Sequence, residues 1–162
     1  MLLFAPAAHA QANEWKMAPL ISQVDLIPEA TDLQDADRRE FLCMALNLYH
    51  ESRGENRSGQ LAVSHVVLNR MESGRFPGSV CAVVWQRGQF SWTTRPVGGI
   101  IPRERGAWIA SQNLAMEILH GNTVDPTSGA THFYNVRLAR PDWAGRGRST
   151  WRHGVHAFVR MW

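Results

Sequence analysis

Cysteine is scarce. Cys43 and Cys81 are the only two in 162 residues, and neither belongs to a Cys-x-x-Cys pair. A structural zinc site built on them is excluded, because such a site needs about four ligands at metal spacing. Lysine is scarcer still, Lys16 being the one cationic side chain that is not arginine. No run approaches the ~20 apolar residues of a membrane-spanning helix, so the mature chain is expected to have no integral membrane segment. Gly/Ser and Gln/Asn tracts are missing, and with 44% hydrophobic residues disorder of the whole chain is not expected. No repeat of fixed period points to a solenoid or propeller. Two catalytic signatures are absent as well. There is no Gly-x-Ser-x-Gly elbow, and His50-Glu51 lacks the second histidine of a zinc-protease helix, because Gly54 stands in its place.

What is present fits one compact domain. Residues 1–12 run from a short apolar stretch into Ala8-His9-Ala10-Gln11-Ala12, small residues at alternate positions as a signal peptidase requires, and are read as a signal-peptide remnant. An exported chain with two cysteines permits one disulfide, but two buried thiols fit equally well. Residues 13–37 mix Pro19 and Pro28 with acidic residues in no sustained period and read as a flexible leader. The domain is expected to occupy 38–162. Charge is uneven: residues 1–84 hold 7 basic and 10 acidic side chains, residues 85–162 hold 10 and 4. A basic half attracts polyanions, nucleic acid or an anionic cell wall among them, although solvated surface arginine reads the same way.

Periodicity predicts an amphipathic helix over 38–52, with Asp37 as N-cap and Phe41, Leu42, Ala45, Leu48, Tyr49 and Ser52 on one stripe. A second helix is expected from Ser58 to Ser73, a short third over 79–86, a Gly/Pro-rich loop over 88–102 and a fourth helix over 104–120. Thr131–Tyr134 and Val155–Val159 are rich in aromatic and β-branched residues and read as strands. The expected class is α+β, mainly helical, with a short C-terminal β element.

Glu51 and Glu55 stand four residues apart at the end of the first helix. A carboxyl at the edge of an apolar stripe has its pKa raised, as a general acid near neutral pH requires. A solvated glutamate paired with Arg53 or Arg57 fits the spacing equally. In the loop, Gln89-Phe90-Ser91-Trp92 sets aromatics beside hydrogen-bonding groups, an arrangement suited to a sugar ring, and Tyr134-Asn135 ends a predicted strand. Core packing accounts for each of these segments taken singly.

In order along the chain, the segments resemble the SleB-type cell wall hydrolase family. Glu51-Ser52-Arg53-Gly54-Glu55 matches that family's Glu-Ala-Arg-Gly-Glu, with Ser52 replacing the usual Ala. Gly59–Val63, Val67–Arg70, Phe76-Pro77, Phe90-Ser91, Asp125–Asn135 and Gly154–Phe158 continue the match. The resemblance implies a lysozyme-like small domain with Glu51 as the catalytic acid/base. It implies cleavage of the peptidoglycan glycan strand between N-acetylmuramic acid and N-acetylglucosamine, with a lytic transglycosylase favoured over a muramidase. A hydrolase would need a second carboxylate, for which Glu55 and Asp142 are the candidates. On this reading Gln89, Ser91, Tyr134 and Asn135 hold the sugar's polar groups, Phe90 or Trp92 covers a ring face, and His156 braces the pocket. No metal and no cofactor is expected. Peptidoglycan, not nucleic acid, is the expected partner of a chain acting as a monomer. The alternatives are an N-acetylmuramoyl-L-alanine amidase and a non-catalytic basic wall-binding module.

Overall fold

A computed structural model describes residues 14–138 and 140–161; the proposed signal-peptide remnant lies outside them. Seven α-helices and one three-stranded antiparallel sheet are present among the described residues. The class read from the sequence, mainly helical α+β, is the one observed.

The centre of the molecule is α3 (Asp35–Ser52). Every residue from Phe41 to Tyr49 is buried, so the expected single stripe is too narrow. Cys43, Met44 and Leu46 lie off that stripe and are also fully buried. A helix that is apolar all round must be surrounded. The elements that surround it are α1 (Met17–Ile21), α2 (Pro28–Thr31), α4 (Arg57–Glu72), α5 (Val80–Val84) and α7 (Arg105–Leu119). A disulfide joins Cys43 in α3 to Cys81 in α5, closing the question that sequence left open.

Residues 14–37 are not a flexible leader. Met17, Leu20 and Ala30 are fully buried, and Ile27 N–H donates to Gln112 Oε1 at 3.0 Å while Trp108 Nε1 donates to the Asp25 carbonyl at 2.6 Å. Lys16 Nζ donates to the carbonyls of Thr93 and Arg95 at 2.7 and 3.1 Å. With α1 five residues long and α2 four, neither completes two turns, so no hydrophobic period can show.

Helix starts also move. Asp37 lies inside the first turn of α3, which follows Gln34; its charge there still suits the helix dipole. The cap of α4 is Asn56 rather than Ser58, its side chain accepting from Gly59 N–H at 3.1 Å. The expected loop over 88–102 contains a 3-10 turn at Ser91–Thr94 and the short α6 (Val97–Ile100).

The sheet comprises β1 (His132–Asn135), β2 (Arg148–His153) and β3 (His156–Arg160), in the order β1-β3-β2. Sequence reading missed β2, whose Arg148-Ser149-Thr150-Trp151-Arg152-His153 suits an exposed edge strand more than a buried one. Gly147 precedes it where a Cβ would lie 2.7 Å from the Arg160 carbonyl oxygen, so only glycine permits that approach. Ala62, Val63 and Val66 of α4 pack on Ala130 and Phe158, with Phe133 and Trp151 alongside. Arg70, 4% exposed, ties α4 to the sheet: its Nε donates to the Thr131 carbonyl at 2.7 Å, and its guanidinium lies 5.1 and 5.6 Å from the rings of Phe76 and Phe90. Among the described residues no helix is long and apolar enough to cross a membrane.

Candidate active site

Glu51 occupies the last turn of α3, beyond the fully buried stretch and partly withdrawn from solvent. No hydrogen-bond donor reaches its carboxylate among the described residues. Burial therefore pushes its pKa above the ordinary glutamate value, and the charge of Arg95 opposes that shift only in part. A carboxyl without donors keeps its proton to higher pH and has an oxygen free for a substrate.

Its neighbours are held from two sides. On the loop side, the His50 ring stacks on Trp92 at 4.8 Å with 19° between planes, and His50 Nε2 lies 2.8 Å from the Ile100 carbonyl. Burial is the main reason the His50 pKa is lowered, so the ring is neutral at pH 7 and the contact requires its N–H on Nε2. Trp92 Nε1 donates to Asn47 Oδ1 at 3.2 Å, and Tyr49 Oη accepts the backbone N–H groups of Arg103 and Glu104, both at 3.1 Å. These contacts fix the 91–104 segment, Arg95 included, against the end of α3.

On the sheet side, Glu55 Oε1 lies 3.4 Å from His156 Nδ1, and His156 pairs with Asn135 across β3 and β1. Gly59 makes room for this contact. A Cβ there would sit 2.9 Å from Glu55 Cβ and 3.0 Å from His153 Cδ2. The α3–α4 corner is thus fastened to the end of the sheet through Glu55.

Gln89 is partly buried and Ser91 exposed in the loop that carries Arg95, while Tyr134 and Asn135 are half-buried at the end of β1. The geometry brings Asn135, His156 and Glu55 into one chain of contacts. It corrects the reading of Phe90 and Trp92, which are 3% and 1% exposed and present no ring face to a ligand. Loop aromatics flanked by α3 and α5 bury more apolar surface as core than as platform. The more accessible counterpart is the partly buried Trp143, whose ring lies 5.7 Å from Tyr134 and 5.0 Å from His132. Burial, with Arg70 adding to it, drives the His132 pKa down to about 4, so this ring is neutral at pH 7. Arg95 and Trp143 were missed because nothing in the sequence shows which loop folds back onto α3 or β1. Asp142 is exposed at the start of a 3-10 turn.

Comparison with known proteins bears on this geometry. The model of a family described as Cell Wall Hydrolase matches residues 54–159, beginning just after Glu51. The spore cortex-lytic enzyme of Halalkalibacterium halodurans is 32% identical over 115 residues, which are 71% of this chain and 33% of that protein; the chain thus spans about a third of that relative. The solved catalytic domain of the germination-specific lytic transglycosylase SleB from Bacillus anthracis superposes with a TM-score of 0.61 at 29% identity, covering 83% of this chain and 100% of that one. The catalytic domain of the Bacillus cereus SleB protein gives 0.60 at 31% identity, covering 75% and 89%.

Proposed function

The chain belongs to the cell wall hydrolase family, and from that premise we propose that it cleaves the glycan strand of peptidoglycan as a lytic transglycosylase, with Glu51 as acid and then base. Glu51 protonates the oxygen between N-acetylmuramic acid and N-acetylglucosamine. The resulting carboxylate then takes a proton from the muramoyl 6-hydroxyl as that oxygen closes on the anomeric carbon, which leaves a 1,6-anhydro sugar.

The observation that carries this reading is the state of Glu51: half-buried, free of donors among the described residues, and with its pKa raised above the ordinary glutamate value by burial. A hydrolase of the usual kind needs a second, free carboxylate across the bond. Glu55 is engaged by His156, and Asp142 is exposed beyond β1, so neither supports hydrolysis. Gln89, Ser91, Tyr134 and Asn135 are proposed to hold the sugar's polar groups, with Arg95 setting the charge opposite Glu51. The disulfide and the Ala-rich start support export, to the periplasm or the wall. An amidase would employ zinc, and among the described residues no three His, Cys, Asp or Glu side chains converge to hold one.

The test is digestion of purified peptidoglycan by wild type and by Glu51→Gln, with mass spectrometry of the products. Anhydro-muropeptides from wild type alone establish the mechanism. Hydrated reducing ends overturn it in favour of a muramidase, and EDTA-sensitive release of stem peptides in favour of an amidase.

A further inference from the structure

The register of β2 on β3 sets Arg148 directly opposite Arg160. Like charges in that position repel, and neither guanidinium has a hydrogen bond or ion pair among the described residues; Arg75 nearby has none either. Two cavities flank the Arg160 side chain and share it with Ser128. The smaller, about 220 Å³, is bounded also by Arg148, Ser149 and Thr150. The larger, about 510 Å³, reaches the end of α4, where Glu72 and Arg75 line it.

Three local irregularities meet at these cavities. Ser128 holds φ at 55°, a left-handed conformation that costs a serine energy and that concentrates at functional positions. The β2–β3 register slips between Ser149 and Trp151, a bulge of the kind that re-aims a side chain. Thr150, at that bulge, has its hydroxyl shielded from water with no partner among the described residues. At neighbouring Gly129, with φ at 86°, a Cβ would lie 3.6 Å from the Arg160 guanidinium, so the turn is shaped around that side chain.

An oxyanion between Arg148 and Arg160 relieves the repulsion and matches the planar fork of each guanidinium. Glu72 in the adjoining cavity argues against a polyphosphate and for a ligand that carries an ammonium group as well as a carboxylate. We infer that the cavities around Arg160 bind the peptide stems of peptidoglycan, a stem carboxylate lying between Arg148 and Arg160 and an amino group facing Glu72. This rests on the proposed activity and adds to it a second hold on the same polymer. The site is at the opposite end of α4 from the Glu51 corner, about 22 Å along the helix at 1.5 Å per residue, so it retains the substrate without touching the reacting sugars.

Cosedimentation with intact, insoluble peptidoglycan tests this, with Glu51→Gln as parent so that the polymer is not consumed. Adding Arg148→Gln and Arg160→Gln is expected to weaken retention about tenfold. On glycan stripped of its peptides the two proteins should sediment alike. Without ligand, the double substitution is expected to raise Tm, since it removes a repulsion. Equal retention on intact wall, a loss that persists on stripped glycan, or a fall in Tm would each overturn the inference. Arginine-dependent binding to inorganic phosphate or to phosphatidylglycerol vesicles, instead of to the wall, would overturn it in favour of a phosphate-bearing partner. Cleavage of intact peptidoglycan by protein with Glu51 intact is scored separately: its absence refutes the proposed activity, whereas the sedimentation arms refute only the stem site.

Discussion

Beside each end of α4 lies a partly buried carboxylate, Glu51 at the end of α3 and Asp125 in the 125–129 turn, and the two are treated in opposite ways. Near the start of α4 Glu51 receives no donor among the described residues, and burial raises its pKa. Near its end Asp125 accepts from Thr127 N–H and Thr127 Oγ1, both at 2.7 Å, from Gly129 N–H at 2.8 Å and from Asn69 Nδ2 at 3.0 Å. Burial pushes Asp125 upward too, but the bonds from Thr127, Asn69 and Gly129 outweigh it and leave the pKa lowered. A satisfied carboxylate organises a turn, whereas an unsatisfied one is held in reserve for chemistry and costs stability while it waits.

The sharpest break of this comparison is Glu51→Gln. Loss of the general acid is expected to lower the rate of glycan cleavage by about 10²–10⁴-fold, with the fold intact by circular dichroism. A variant that cleaves at a rate within a few-fold of wild type sinks the assignment. Asp125→Ala should behave inversely. Three of its four bonds shape the 125–129 turn and the fourth ties that turn to Asn69 of α4, so about 2–3 kcal/mol of stability is expected to go, read by urea denaturation, while cleavage per folded molecule stays near wild type. If activity collapsed and stability held, the two carboxylates would have been assigned the wrong way round.

Gly59→Ala probes the fastening between the corner and the sheet. The new methyl meets Glu55 and His153 at 2.9 and 3.0 Å, and overpacking of this kind costs about 1–3 kcal/mol, offset in part by the better helix propensity of alanine. A net loss of about 1 kcal/mol with a lower kcat is expected. Unchanged kcat would mean that Glu55 does not transmit the position of the sheet to Glu51.

The difference between the two carboxylates was half legible in the sequence. Glu51 stood at the edge of an apolar stripe, which made it a candidate because a helix fixes which residues share a face, but spacing left a solvated glutamate open and only the family resemblance chose between the two. The fate of Asp125 was not legible: it depends on Asn69 reaching it from 56 residues away, and local pattern carries no information about that contact. The same limit explains Phe90 and Trp92. Their composition suits a sugar platform, but only the return of the loop, which sets Trp92 on Asn47 and His50 and Phe90 beside Arg70, shows them to be core. The short α1 and α2 escaped because helices of one turn have no period, and β2 because its arginines mask a strand whose inner residues, such as Trp151, cover α4. Long buried elements were readable, while edges and returns were not.

The smallest expected effect is also the most direct reading of the contrast. Because the Glu51 pKa is raised in the folded chain, its carboxyl favours folding below the ordinary carboxylate value, and that contribution is lost as pH rises through the raised value. Asp125, lowered in the folded chain, contributes stability above the ordinary value that is lost as pH falls through the lowered one. Glu51→Gln removes the first dependence and leaves the second. Its Tm should therefore match wild type at pH 4 and exceed it by a few degrees at pH 8, with the separation opening above the ordinary glutamate pKa of about 4.3. Asp125→Asn should lie below wild type at pH 8 and converge with it toward pH 3. Parallel Tm curves for Glu51→Gln and wild type across this range would show that Glu51 is not desolvated, and the case for it as a protonated acid near neutral pH would fall with that result.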